Sequence, residues 1–282
     1  MSEIWQSPEI FRFDPDWFDY GRLSVMRTGL AVSLVLFGML FSTRPAGASD
    51  APLIAAASSM QFALREIAQS FKQETGIELR ITLGASGKLF RQIENNAPFE
   101  LFISADDRLA QDLAASQHAR LPRVILARGR LAVFAAGGSP LQPDSRLNGL
   151  ADALAKGQIS KFAIANPAHA PYGRRAREAL QSAGLWARLQ DKLVMGENVA
   201  QAAQFAISGA AQGGMVAHSL LVTDKTSDRG RYALLPESWH QPILHSMVLL
   251  ENSDDTTMAF FQYLRSPRAQ QILSRFGYAP AL

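Results

Sequence analysis

The chain has 282 residues, no cysteine, and 28 Lys and Arg residues against 25 Asp and Glu residues, which gives a formal net charge of +3. This length allows one large domain or two modest ones, and 48% hydrophobic residues suffice for a packed core. The absence of cysteine excludes disulfides, cysteine nucleophiles, Cys-ligated zinc, iron–sulfur clusters and a lipid-modified cysteine anchor. The small net charge does not favour nucleic-acid binding, which needs Lys and Arg clustered on one face.

Residues 1–48 have the pattern of an export signal behind an N-terminal extension. Residues 28–41 (TGLAVSLVLFGMLF) carry no charge, follow Arg22 and Arg27, and precede the small residues of the Ala46-Gly47-Ala48 site. A basic segment, a short apolar segment and an A-x-A site predict a cleaved secretory signal peptide. An uncleaved anchor is the alternative, and it needs a longer apolar run of roughly 20 residues. We expect the true start to be Met26 and the processed protein to be periplasmic.

After residue 48, short β-like runs alternate with helical patterns. The run 53–57 precedes a helix over residues 60–76, in which apolar residues recur at helical spacing and Gly76 is the stop. Further strands are predicted at 77–83, 99–103, 124–135, 161–165, 192–195, 214–217 and 243–250, and further helices at 89–96, 107–116, 174–186, 199–211, 254–264 and 267–276. The alternation predicts an α/β fold with mainly parallel sheets, whose ligands bind where strands end and helices begin.

Four of the predicted strand-to-helix loops share one chemistry. They are AAASS (55–59), GASGK (84–88), NPAHAPYG (166–173) and GEN (196–198) with the following valine. Small residues and free backbone N–H groups at helix starts form a site for an anion. The hydroxyls of Ser58, Ser59, Ser86 and Tyr172 add neutral donors, which suit a fully ionised oxyanion. The alternative for each single loop is an ordinary helix cap, in which the serine only helps to start the helix.

Other chemistries lack their motifs. GASGK is too short for a phosphate-binding P-loop and has Leu89 where that motif needs a hydroxyl. It also lacks the G-x-S-x-G spacing that would make Ser86 a catalytic serine. The five histidines show no metal-ligand spacing, so we expect most of them on the surface or in loops, with His218 as a candidate for the cleft. We therefore predict a protein that is not an enzyme and that has no cofactor.

Four segments, in this order, resemble the periplasmic molybdate-binding proteins of ABC importers, which belong to the type II periplasmic binding proteins. They are LIAAASSMQFALREIAQSFKQETGIEL, GASGKLFRQIENNAPFELFISADDRLAQDL, FAIANPAHAPYGRRAREAL and ENVAQAAQFAISGAAQGGMV. The resemblance covers nearly the whole chain after the signal. It implies a two-lobed α/β fold with two hinge crossings, in which each lobe is a mixed, mostly parallel sheet flanked by helices. Lobe I would comprise residues 49–130 plus 242–282, and lobe II residues 131–241.

The resemblance also implies which residues bind the oxyanion. They are Ser58, Ser59, Ser86, Tyr172 and Val199, the last through its backbone N–H. Ser58, Ser86, Tyr172 and Val199 would contact the oxygens of molybdate and not the metal itself. Many relatives have a tyrosine where this chain has Ala217, and Tyr172 resembles the tyrosine that serves instead in a subset of them. The part played by Ala217 and by His218 stays open.

Together these observations predict a periplasmic solute-binding protein that captures molybdate or tungstate between two lobes and delivers it to an inner-membrane ABC permease and its ATPase. We expect a monomer with no nucleic-acid partner. The alternative is a receptor for another tetrahedral oxyanion, such as sulfate, on the same fold. Phosphate is disfavoured because its remaining proton needs an acceptor carboxylate, and Glu197 is the one acidic residue in the four loops. A hydrolase using Ser86 would need a histidine base and a carboxylate that no motif supplies.

Overall fold

The structure, a computed structural model, describes residues 51–223, 226 and 228–281. They fall in one compact unit, Ala48–Leu282. The predicted extension and signal peptide, residues 1–48, lie outside the described residues. Within the ranges that are described, no helix is both long and apolar enough to cross a bilayer.

Strands and helices largely alternate along the described chain, as the sequence predicts, but the helix over 148–155 and the strand over 230–234 were not predicted. In order they are β1 (Leu53–Ala57), α1 (Gln61–Thr75), β2 (Arg80–Gly84), α2 (Ser86–Glu94), β3 (Leu101–Ser104), α3 (Asp107–Ala114), β4 (Val124–Gly129), β5 (Leu131–Ala136), α4 (Asn148–Ala155), β6 (Phe162–Ala165), α5 (Pro171–Ser182), α6 (Trp186–Leu189), β7 (Leu193–Gly196), α7 (Val199–Ile207), β8 (Gly213–Ala217), β9 (Gly230–Leu234), β10 (Ile243–Leu249), α8 (Asp255–Tyr263) and α9 (Pro267–Arg275). Short 3-10 turns follow β1 at Ser58–Met60 and β8 at His218–Leu220. Helix α1 ends in a common way, because the residue after it, Gly76, adopts a left-handed φ of 76° that glycine allows.

The first sheet has the strand order β2-β1-β3-β10-β4. β1 pairs in parallel with β2 and β3, whereas β10 pairs antiparallel with β3 and β4. Four of its five strands therefore run in one direction, and β10 runs against them.

The second sheet repeats this arrangement, with the strand order β7-β6-β8-β5-β9. β6 pairs in parallel with β7 and β8, and β5 pairs antiparallel with β8 and β9. Here β5 is the one reversed strand. The predicted mixed, mostly parallel sheets are thereby confirmed.

The chain crosses between the sheets twice. The predicted single strand 124–135 is in fact two strands, β4 in the first sheet and β5 in the second, which break at Arg130. The return runs from β9 in the second sheet to β10 in the first. The two predicted crossings are confirmed, while the limits of the lobes, 49–130 plus 242–282 and 131–241, stay a prediction.

Helices cover both sheets, so the central strands are buried on both faces. Their sequences are therefore continuous apolar runs. Every residue of β3, β5, β6 and β8 is buried. On the first sheet, α1 packs its apolar stripe, with Leu64, Ile67 and Phe71, into a core shared with Met247 and Phe260. This burial holds the ends of the strands, and hence the loops that follow them, in fixed positions.

Candidate functional site

All five predicted site residues line one small cavity. It is narrow, with a volume of about 10 Å³, and its wall consists of Ser58, Ser59, Ser86, Tyr172 and Val199 together with Ala57, Gly84, Ala105, Ala170 and Pro171. These residues follow the carboxyl ends of β1, β2 and β3 in the first sheet and of β6 and β7 in the second. The structure thus brings the four predicted loops together, with a fifth loop, after β3, that sequence reasoning did not single out.

Two cavity serines have hydroxyl oxygens that accept hydrogen bonds from backbone N–H groups. Ser86 Oγ accepts from Ala105 at 3.0 Å, and Ser58 Oγ accepts from Ala200 at 3.4 Å. Both serine side chains are buried. A hydroxyl whose oxygen already accepts a hydrogen bond keeps its own proton for donation. Ser58 and Ser86 are therefore arranged as donors.

The third cavity serine is paired with a histidine. Ser59 Oγ lies 2.9 Å from His245 Nε2 in β10, and both side chains are fully buried. The dominant effect of burial lowers the pKa of His245 to about 3, so its imidazole is neutral at physiological pH. The Ser59 backbone is fixed as well, because Ser219 Oγ donates to its carbonyl at 2.8 Å.

Tyr172 stands in the first turn of α5 and is 2% exposed. Its hydroxyl makes no hydrogen bond of normal geometry within the described part of the chain, although an interaction with Ser59 lowers its pKa against the effect of burial. That hydroxyl packs against the Cα of Gly129, at the end of β4, where any Cβ would overlap it. Burial, above other effects, raises the pKa of Tyr172 well above its usual value, so the phenol keeps its proton. Tyr172 thus offers a neutral O–H donor.

Three helices begin at the cavity wall: α2 at Ser86, α5 at Pro171 and α7 at Val199. In α7, Asn198 Oδ1 caps the N–H groups of Ala200 and Gln201 at 3.0 and 3.1 Å but not that of Val199. Uncapped N–H groups and the helix dipole both favour an anion at such a point. The N–H of Val199 therefore adds a backbone donor to the hydroxyls.

Charged side chains join the loops of the two sheets beside the cavity without lining it. Arg174 in α5 pairs with Asp106, and Lys88 in α2 pairs with Glu197. The hydrogen bond from Lys88 is the main cause that lowers the pKa of Glu197. None of these four side chains is among the residues of the cavity wall given above. The wall itself is neutral.

A backbone contact draws the same loops together. The N–H of Gly87 donates to the carbonyl of His169 at 3.0 Å, and a Cβ on Gly87 would lie only 2.7 Å from that oxygen. A glycine is therefore required for the loops to approach this closely.

Our expectation that most histidines lie on the surface or in loops is confirmed for their place in the chain, since His118, His169 and His240 lie between the helices and strands. His169, His240 and His245 are nevertheless buried, and His245 alone of the five lies in a strand. His218 is half-buried and contacts the hydroxyl of Tyr232 at 3.2 Å. Neither His218 nor Ala217 belongs to the cavity wall. A signal for His245 was available, since it and Ser246 are the two polar residues of a predicted strand that is otherwise apolar.

Comparison with known proteins agrees with this geometry. A family model described as bacterial extracellular solute-binding protein matches residues 52–279. The molybdate-binding protein ModA of Rhodobacter capsulatus is 30% identical over 257 residues, which cover 90% of this chain and 96% of the relative. The molybdate-binding protein ModA of Escherichia coli K12 is 33% identical over 226 residues, which cover 79% of this chain and 86% of the relative. The structure of the Azotobacter vinelandii periplasmic molybdate-binding protein matches with a TM-score of 0.72 at 29% identity and covers 81% of this chain and 98% of its own. The chain therefore belongs to the bacterial extracellular solute-binding proteins.

Proposed function

We propose that this protein binds molybdate or tungstate in the cavity between its two sheets and delivers the ion to an ABC importer. One observation carries the proposal: neutral donors from both sheets, the hydroxyls of Ser58, Ser59, Ser86 and Tyr172 and the N–H of Val199, meet in a single cavity. The molybdate-binding proteins to which the chain is similar make molybdate the first ligand to test.

The chemistry of the wall favours a fully ionised oxyanion. Each hydrogen bond to a charged group contributes roughly 1.5–3 kcal/mol, so a few of them offset the desolvation of a dianion. The ten wall residues include no carboxylate. Hydrogen phosphate carries a proton that needs an acceptor, and the wall offers mostly donors, so phosphate is disfavoured.

Sulfate is the second candidate, because it is also a tetrahedral dianion and would use the same donors. Discrimination between the two ions then rests on the room that the wall residues leave for the ligand. Molybdate and tungstate are larger than sulfate and of nearly equal size, so we propose that both bind and that sulfate is held less well.

The remaining features of the proposal follow from this role. The protein is periplasmic after removal of its signal peptide, and its partners are the inner-membrane permease and ATPase. It acts as a monomer and needs no cofactor. It is not an enzyme, and nucleic acid is not a partner. The ion pairs Arg174–Asp106 and Lys88–Glu197 join the loops that enclose the ligand.

Titration calorimetry of the purified protein tests the proposal. We expect one molybdate or tungstate ion per chain, with sulfate bound at least roughly 100-fold more weakly, a difference of about 2.7 kcal/mol. The variant Ser86→Ala should bind molybdate more weakly, and Ser274→Ala, which changes an exposed serine in α9, should bind like the wild type. Equal affinity for sulfate would support the second candidate, and no binding of any tetrahedral dianion would refute the function.

A further inference from the structure

Ser59 differs from the other two cavity serines in the group that contacts its hydroxyl oxygen. Ser58 and Ser86 accept from backbone N–H groups, which can only donate. The partner of Ser59 is the Nε2 atom of His245, and a neutral imidazole nitrogen either donates or accepts according to its tautomer. The hydroxyls of Tyr172 and Tyr278 also interact with Ser59, but His245 Nε2 is the side-chain partner of Ser59 Oγ at hydrogen-bond geometry. The direction of the Ser59 hydroxyl therefore depends on where His245 carries its proton.

The two tautomers have opposite consequences for an anion. If the proton is on Nδ1, Nε2 accepts the Ser59 proton, and the serine presents its oxygen lone pairs to the cavity. If the proton is on Nε2, that N–H donates to Ser59 Oγ, and the serine proton is available to the ligand. The second arrangement is the one in which Ser59 matches Ser58 and Ser86.

We propose that His245 is a positioning residue for oxyanion binding, whose neutral Nε2–H tautomer donates to Ser59 Oγ and so directs the Ser59 hydroxyl proton to the ligand. This inference rests on the proposed function. It assigns a role to a buried residue of β10 that is not part of the cavity wall.

The surroundings of His245 favour that tautomer. Nδ1 is buried and has no hydrogen-bond partner among the described residues. A hydrogen bond with the backbone of Ile243 raises the pKa of His245 against the larger effect of burial, but no contact of Nδ1 in the described part of the structure meets hydrogen-bond geometry. Nδ1 is unpaired in either tautomer, but an unpaired buried N–H is rarer in proteins than an unpaired acceptor, and a proton on Nε2 has the Ser59 oxygen 2.9 Å away.

The aromatic groups beside His245 keep the cluster neutral. Tyr278 packs edge-on against the imidazole at 5.0 Å between ring centres, and Tyr172 lies at 6.1 Å. Burial raises the pKa of Tyr278 to about 12 and that of Tyr172 well above its usual value, so both rings keep their protons. The rings hold the imidazole in place, and its hydrogen bond sets the direction of the Ser59 hydroxyl.

Variants of His245 separate a positioning role from a packing role. The side-chain amide of His245→Gln can occupy the place of Nε2 and donate to Ser59, whereas the shorter amide of His245→Asn corresponds to Nδ1 and does not reach it. We expect molybdate affinity to stay within about 3-fold for His245→Gln and to fall about 10-fold for His245→Asn and His245→Phe, which is about 1.4 kcal/mol. In a Ser59→Ala background, the change to Phe should have almost no further effect.

The tautomer can also be read directly in the wild type, which avoids variants that fail to fold. Nitrogen-15 NMR of the protein, with and without molybdate, should show Nε2 protonated and Nδ1 unprotonated in the complex. A proton on Nδ1 in the complex, or unchanged affinity in His245→Phe, would overturn the inference while molybdate binding stands. A wild type that binds no molybdate would instead refute the proposed function, and calorimetry detects that outcome separately.

Discussion

The two sheets supply different kinds of donor to the same cavity. Loops of the first sheet contribute the side-chain hydroxyls of Ser58, Ser59 and Ser86, whereas loops of the second contribute the N–H of Val199 and the single hydroxyl of Tyr172. Side-chain donors depend on a partner that fixes their proton, such as the N–H of Ala105. Backbone donors depend only on where a helix begins. The difference teaches that the donor at Val199 is encoded in helix geometry, so that an ordinary alanine substitution of Val199 does not reveal it.

The largest expected effect comes from removing the backbone donor of α7 while keeping the helix. In Val199→Pro the N–H is lost at the first helical position, where proline is favoured. Asn198 has φ of −151° and ψ of 175°, an extended conformation that a following proline allows. We expect molybdate binding to weaken by roughly 2–3 kcal/mol, measured by calorimetry, because a donor to a charged ligand is lost.

The matched control for that variant is Val199→Ala, which shortens the same buried side chain but keeps the N–H. Its affinity should stay close to that of the wild type. If Val199→Ala and Val199→Pro bind molybdate equally, the second sheet does not donate through this backbone group, and the contrast between the sheets fails.

A second prediction concerns the buried histidine of the first sheet. His245 has an ordinary pKa of 6.5 when unfolded and of about 3 in the fold, so between these values the unfolded chain takes up a proton that the folded protein does not. The free energy of unfolding therefore falls with falling pH. From about pH 7.5 to about pH 5 this single group should remove about 2 kcal/mol of stability.

Denaturant unfolding at the two pH values measures this loss. His245→Gln should lose about 2 kcal/mol less than the wild type over the same range, because its amide does not titrate. Burial also lowers the pKa of His218 and His240, but these residues are present in both proteins, and their effects cancel in the difference. Equal losses in the two proteins would show that His245 is not neutral and buried as described.

A third prediction distinguishes the effect of the Tyr172 hydroxyl on molybdate binding from its effect on the stability of the protein. Tyr172→Phe should weaken molybdate binding by about 1–2 kcal/mol, since one donor is lost. The unliganded protein should be as stable as the wild type or more stable, because the Tyr172 hydroxyl makes no hydrogen bond of normal geometry to the described residues. Calorimetry measures the affinity for molybdate, and thermal unfolding of the same samples measures the stability. A loss of stability without a loss of affinity would contradict the role of the Tyr172 hydroxyl as a donor to the ligand.

The smallest expected effect concerns the ion pair that joins the loops of the two sheets. Asp106→Asn removes the charge that pairs with Arg174 but keeps a side chain that can cap α3. Such partly exposed pairs contribute about 0.2–1 kcal/mol, so affinity should fall by a few fold, mainly through faster release, and the effect should shrink at high salt. Stopped-flow measurement of the rate of molybdate release tests this prediction. Glu78→Gln is the control, because the Lys72–Glu78 pair is exposed and joins α1 to the segment before β2, both on the side of the first sheet.

The sequence predicted the parts of the site that are local in the chain. The loops at Ser58, Ser86, Tyr172 and Val199 follow strands and open helices, and such loops meet at one edge of each open sheet. What they bind could be inferred only from the neutral chemistry of the donors and from a family resemblance. The structure places these residues together, and their role as ligand donors stays a proposal.

The parts that could not be predicted depend on long-range contacts. Ser59 and His245 are 186 positions apart, and no periodicity links them. The stretch 124–135 reads as one strand, although the resemblance implies a limit between the lobes at residue 130, because its residues before Arg128 and after Arg130 are apolar. The donation from Ala105 to Ser86 also has no sequence signal, because it uses a backbone N–H and any residue except proline would provide it.

A crystal structure of the protein grown with molybdate, with the metal located by its anomalous scattering, tests the central claim most directly. We expect the metal in the cavity between the sheets, with its oxygens within hydrogen-bond distance of the hydroxyls of Ser58, Ser59, Ser86 and Tyr172 and of the N–H of Val199. A metal peak outside this cavity, or a charged side chain in contact with the oxygens, would contradict a site built from neutral donors of both sheets.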